Sequence, residues 1–137
     1  MPHKDPKVEL IRSVPLFAHC DDDELEAISQ AADLIDVPAG MELVRQGAHT
    51  NEFVVVATGS VEVRRDGAVI DTIGAGGFFG EVALLTGAPR NATVTAAEPS
   101  SLLVLTDRAF RRLAEELPSV EAAAARALAD RLHSEAV

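Results

Sequence analysis

Ser60-Val61-Glu62-Val63-Arg64-Arg65-Asp66-Gly67-Ala68-Val69-Ile70-Asp71-Thr72-Ile73 reads as two β-strands joined by a tight turn. Asp-Gly is the strongest hairpin signal in the chain, because a type I′ turn needs positive φ at both central positions. Working outward, short runs of Val, Ile, Leu and Phe recur between turn signals at Pro38-Ala39-Gly40, Gly47, Gly59 and Gly74 to Gly77. Regular short strands with such punctuation point to an all-β sandwich or barrel. The pattern predicts strands at about 34–38, 41–46, 52–57, 60–65, 68–73, 78–80, 91–97 and 101–106. Eight strands in two sheets make a jelly roll, a double-stranded β-helix.

Helical spacing flanks this core. Residues 7–12 are expected as a short helix, with Pro15 ending it and Leu16-Phe17 free to pack on the domain. Asp21 with Glu24 three residues on matches a capping box. Leu25, Ile28 and Ala32 then repeat at helical spacing, which predicts a helix over about 22–32. Beyond Thr106 a helix is expected over 107–117, with Asp107 as N-cap and Pro118 just past its end. An Ala-rich helix to about residue 134 follows, with Val120, Ala124, Leu128 and Leu132 on one apolar stripe. The expected organisation is mainly β with flanking helices in a single domain, 1–137. The β-roll occupies about 34–106, and the helices about 7–32 and 107–134.

Composition narrows the function classes. The 137 residues are 47% hydrophobic, enough for a core of ordinary density, and the formal net charge is −10. An acidic surface opposes non-specific binding to nucleic acid and to anionic membranes, both of which need clustered Lys and Arg. There is no Trp and no Tyr, so stacking platforms for single-stranded nucleic acid are scarce. Cys20 is the lone cysteine and has no Cys or His companion at zinc spacing. The first residues carry no apolar signal-peptide core, and the longest apolar runs are too short to span a bilayer. A cytoplasmic location is expected.

Chemistry concentrates in Phe78 to Thr95. Gly80 and Glu81 precede a stretch, Val82 to Leu85, that fits one helical turn, and Gly87-Ala88-Pro89 then bends the chain into Arg90. Backbone N–H groups at a turn start, here those of Ala83 and Leu84, suit an anion. Arginine adds a planar, permanently charged fork that takes two oxygens at once. Glu81 alone is a poor phosphate neighbour but a good acceptor for a sugar hydroxyl. Gly80 would let a ligand approach the backbone closely. The competing reading is an ion pair between Glu81 and Arg90 across an ordinary hairpin.

The order Phe79-Gly80-Glu81-Val82-Ala83-Leu84-Leu85, then Pro89-Arg90, then Ala92-Thr93-Val94 resembles the phosphate-binding cassette of the cyclic-nucleotide-binding domain family. Further likeness lies in Val14-Pro15-Leu16-Phe17, Gly40, Gln46-Gly47, Gly59-Ser60-Val61-Glu62-Val63 and the two closing helices, so it covers nearly the whole chain. The resemblance, to a cAMP-binding regulatory domain of the bacterial stand-alone type, implies a role for each matching position. Glu81 would hold the ribose 2′-hydroxyl and Arg90 the cyclic phosphate. Ala83 would give a backbone N–H to the phosphate, and Ala92 would line the pocket nearby. Leu84 would be a hydrophobic hinge that signals to the C-terminal helices. The apolar stripe of the last helix can pack on the barrel, cover the nucleotide as a lid through Leu128 or Leu132, or pair with another subunit. One position departs: the residue after the arginine is commonly Thr, Ser or Ala in the family, and here it is Asn91. Its amide can donate and accept, so it can still touch phosphate or base.

The resulting expectation is a non-catalytic sensor with cAMP as preferred ligand and cGMP as the competing one, and no cofactor or metal. It would signal by population shift to an effector protein, with a second copy of the chain as a further partner and no direct nucleic acid or membrane. Two alternatives stand beside it. One is a degenerate domain of the same fold, acting as an interaction module without nucleotide. The other is a cupin-like metalloenzyme built on His49-Thr50-Asn51-Glu52, which lacks the second histidine such a site wants. Asp21-Asp22-Asp23-Glu24 lacks the glycine and spacing of a calcium loop and reads as a helix start. Arg64-Arg65 and Arg111-Arg112 read as solvated faces, and no Ser-His-Asp or Cys-His arrangement is evident.

Overall fold

A computed structural model describes residues 6–50, 52–80, 87–122, 125 and 126. Helix α1 (Pro6–Arg12) leads through a 3-10 turn (Pro15–Phe17) into α2 (Asp22–Ala31). Eight strands follow: β1 (Asp33–Val37), β2 (Glu42–Val44), β3 (Glu52–Thr58), β4 (Ser60–Arg65), β5 (Ala68–Gly74), β6 (Phe78–Phe79), β7 (Thr93–Ala96) and β8 (Ser100–Thr106). Helix α3 (Asp107–Glu116) comes next, and the chain is helical again at 118–122. The strands form two four-stranded sheets, β1-β8-β3-β6 and β2-β7-β4-β5, with every pairing antiparallel. This is the expected jelly roll with flanking helices.

Local chemistry accounts for most boundaries. Asp66 (φ 53°) and Gly67 (φ 84°) both take the positive φ that the hairpin between β4 and β5 requires. At α2 the capping box is complete: the Asp21 carboxylate accepts from the Glu24 N–H at 2.8 Å, and the Asp21 N–H donates to the Glu24 carboxylate at 2.9 Å. Arg12 of α1 pairs with Asp22 at 2.9 Å, which ties α1 to the same helix start. The cap of α3 differs from expectation. Thr106, not Asp107, is the N-cap, its hydroxyl accepting from the Ala109 N–H at 3.2 Å, so Asp107 sits in the first turn. The second strand is shorter than expected, ending at Val44, where a turn closed by the Ala48 N–H on the Arg45 carbonyl at 3.1 Å begins.

Burial divides into two cores that share one sheet. Val54, Val56 and Leu102 point between the sheets, where they meet Val61, Val63, Phe79, Val94 and Ala92. Their neighbours Phe53, Val55, Leu103 and Leu105 point outward to Ile11, Leu25, Ile28, Phe110 and Leu113 from the helices. Successive strand residues face opposite ways, so β3 is buried continuously from Phe53 to Val56.

Candidate functional site

The loop between β2 and β3 and the segment before β7 grip one another through the backbone. The Arg90 N–H donates to the Ala48 carbonyl at 2.9 Å, and the Gly47 N–H donates to the Arg90 carbonyl at 2.8 Å. This pairing draws the arginine inward until only 3% of it is exposed. A buried guanidinium is costly unless its donors are met. Here Nε donates to the Thr50 hydroxyl at 2.9 Å, and Nη2 donates to the Glu52 carbonyl at 2.6 Å. Both acceptors are neutral, and together these two bonds fix the plane of the fork.

Gly80 lies against the same group. Its φ is +98°, and a Cβ built there would stand 2.5 Å from the Glu52 carbonyl oxygen and 2.6 Å from Arg90 Nη1. The glycine therefore makes room for the arginine as well as for whatever the arginine holds. Nε and Nη2 form the side edge of the fork and are directed to Thr50 and Glu52, which leaves Nη1 nearest Gly80. Residues Glu81, Val82, Ala83 and Leu84, expected to complete the cradle, lie outside the described residues, as do Leu128 and Leu132.

The remaining expected positions separate. Ala92 is fully buried in the inter-sheet core, directly after the turn that delivers Arg90. Asn91 is exposed, and its carbonyl accepts from Arg65 Nε at 3.0 Å. Arg65 is thus more than the solvated charge its sequence context suggests. The tip of the same hairpin is also held: Gln46 donates its side-chain amide to the Asp66 carboxylate and accepts from the Asp66 N–H, both at 2.9 Å. Thr50, Gln46 and Arg65 each find partners 20 or more residues away in sequence, so no local pattern marks them.

Other chemistry is sparse among the described residues. No three His, Cys, Asp or Glu side chains gather there as a metal would need, and His49 is exposed. Burial, aided by the Glu24 and Asp21 carboxylates, pushes the Cys20 thiol up to about 11, so it remains protonated and a weak nucleophile at neutral pH. Arg64 pairs with Glu62 at 3.2 Å and Arg112 with Glu116 at 3.3 Å.

A glycine-seated, buried arginine between two sheets of a jelly roll is the geometry that known proteins can be compared against. The family model described as cyclic nucleotide-binding domain matches residues 34–116, more than half of the chain. The chain belongs to this family. Among curated proteins it is similar to a cyclic nucleotide-gated potassium channel of Mesorhizobium japonicum, at 38% identity over 112 residues that cover 82% of this chain and 31% of the channel. It is also similar to a cAMP-dependent protein kinase regulatory subunit of Yarrowia lipolytica, at 34% identity over 98 residues, covering 72% of this chain and 26% of the subunit. The chain thus spans less than a third of the length of these relatives. Among solved structures, the catabolite activator protein of Thermus thermophilus superposes with a TM-score of 0.80 at 30% identity, covering 87% of this chain and 58% of that one. The regulatory domain of Toxoplasma gondii PKA with cAMP gives a TM-score of 0.76 at 25% identity, covering 89% of this chain and 48% of its own. The family match takes in the two-sheet core and α3.

Proposed function

We propose that the chain is a non-catalytic cyclic-nucleotide sensor with cAMP as its preferred ligand, formed by residues 1–137 as one domain and working in the cytoplasm. The seat of Arg90 carries this reading. A guanidinium 3% exposed, with its side edge on Thr50 and Glu52, holds its end toward Gly80, where a phosphodiester anion would be met by charge and by a planar fork. The names of similar proteins support the ligand class: kinase regulatory subunits described as cAMP-dependent, and a PKA regulatory domain solved with cAMP.

In this reading Glu81 takes the ribose 2′-hydroxyl, and Gly80 leaves space beside the phosphate. The backbone N–H of Ala83 donates to a phosphate oxygen, with Val82 opening the turn. Arg90 neutralises the phosphate, and Asn91 and Ala92 border it. Leu84 passes the closure of the cassette to the C-terminal helices. Binding shifts the population toward the closed arrangement, and an effector protein senses the difference. A second copy of the chain is the other partner this reading allows; direct contact with nucleic acid or a bilayer is not part of it.

Titration calorimetry with cAMP and cGMP tests the proposal. The wild type should release or absorb heat with a saturable isotherm, stronger for cAMP. Arg90→Ala should weaken binding by ~2–4 kcal/mol, about thirty- to a thousandfold. No heat at high micromolar nucleotide would overturn the sensor reading and favour a protein-interaction module of the same fold. Unchanged affinity in Arg90→Ala would mean that the phosphate sits elsewhere.

A further inference from the structure

Arg90 takes one of its two described side-chain bonds from a residue that neither the strand pattern nor the cassette singles out. Thr50 lies two positions beyond Ala48, whose carbonyl accepts the Arg90 backbone N–H at 2.9 Å. That backbone pairing holds the loop against the arginine, and the Thr50 hydroxyl then accepts from Nε at 2.9 Å. The second acceptor, the Glu52 carbonyl, takes Nη2 at 2.6 Å and belongs to the first residue of β3. A backbone carbonyl is available whatever residue occupies its position. The hydroxyl exists only because residue 50 is threonine.

The two contacts have different consequences for the guanidinium. Each acceptor fixes the planar group at one nitrogen. Acceptors at both Nε and Nη2 define its plane and the direction of its end edge. That edge is what meets a phosphate, because Nη1 is the nitrogen nearest Gly80. We propose that Thr50 is a positioning residue for the nucleotide phosphate: its hydroxyl locks the side edge of Arg90, so that the end edge is aimed before ligand arrives. The inference rests on the sensor reading above and adds to it a residue outside the cassette. Ordering the fork in advance removes a cost that binding would otherwise bear.

The test compares wild type, Thr50→Val and Thr50→Ser, with Thr50→Ala as a smaller truncation should the valine disturb the loop. Each is titrated with cAMP and with the two diastereomeric phosphorothioates of cAMP, in which sulfur replaces one or the other exocyclic phosphate oxygen. Thr50→Val and Thr50→Ala should lose about three- to tenfold in cAMP affinity, the scale of one net hydrogen bond. They should also discriminate less between the two phosphorothioates, because a fork that has lost the anchor at Nε is aimed less sharply at one oxygen. Thr50→Ser should keep both properties, and melting temperatures should stay close to that of the wild type. Equal or tighter cAMP binding by the valine and alanine variants would overturn the proposal. So would a serine variant as weak as valine, or an affinity loss without any change in diastereomer preference. Failure of the wild type to bind any cyclic nucleotide would instead bring down the sensor reading, and this inference with it.

Discussion

The two sheets differ most at β3 and β5, which are built from similar residues but are buried differently, while β1, at the edge of its sheet, exposes Leu34 and Ile35. In β1-β8-β3-β6, Phe53, Val54, Val55 and Val56 are all buried, alternating between the helical layer and the space between the sheets. In β2-β7-β4-β5, β4 buries Val61 and Val63, while Val69 and Ile70 of β5 are exposed. The buried arginine and the helices lie on opposite sides of a single peptide unit. Glu52 offers its carbonyl to Arg90, and the very next side chain, Phe53, meets the Phe110 ring of α3 at 5.0 Å and Phe78 at 5.6 Å. A shift of the arginine is therefore mechanically adjacent to the helical core, because α3 packs on β3 and β8.

The sharpest way to break this contrast is Phe53→Ala. Removing a fully buried ring that bridges Phe110 and Phe78 should cost ~3–5 kcal/mol in urea denaturation. Amide exchange should rise more in α3 than in β4 and β7. Equal loosening of both regions would show that the two cores are one cooperative unit. Next in size, Gly80→Ala forces a side chain into positive φ and against Arg90, and should destabilise the fold by about 1–3 kcal/mol while weakening nucleotide binding. Its melting temperature and calorimetric affinity should fall together; an intact affinity would separate Gly80 from the site. The smallest effect belongs to β5. Val69 is 49% exposed, and Val69→Thr should change the unfolding free energy by no more than about 0.5 kcal/mol. A cost above about 1 kcal/mol would mean that something covers this face in solution, and the contrast between the sheets would fail.

The features legible in the sequence are those whose cause is local. Asp66-Gly67 announces its hairpin through backbone sterics, and Asp21 with Glu24 announces a helix start through side-chain reach. Glu81 and Arg90 could be singled out because the cassette is a contiguous string. Strand order was not legible, since β1 pairs with β8 and β3 with β6 across long stretches of chain. Nor did Phe53 to Val56 disclose a double role, because a strand buried on both faces shows an unbroken apolar run instead of alternation. Thr106 displaced Asp107 as the cap because either residue type can serve, and only backbone geometry decides. Thr50 stayed hidden for another reason: a single hydroxyl in a loop has no pattern, and its partner lies 40 positions away.

The hairpin tip carries a practical consequence. Surface turns are ordinarily where a chain accepts a tag, a reporter or an inserted domain. The Asp66-Gly67 turn is exposed, yet Asp66 is buttoned twice to Gln46, and its neighbour Arg65 is hooked to the carbonyl of Asn91. Material spliced into this turn would pull on the residue that follows Arg90 and on the loop that carries Thr50. A fluorescent reporter placed there would act as a lever on the seat of Arg90, and for anyone building an indicator on the proposed sensor that lever is the attachment point to choose.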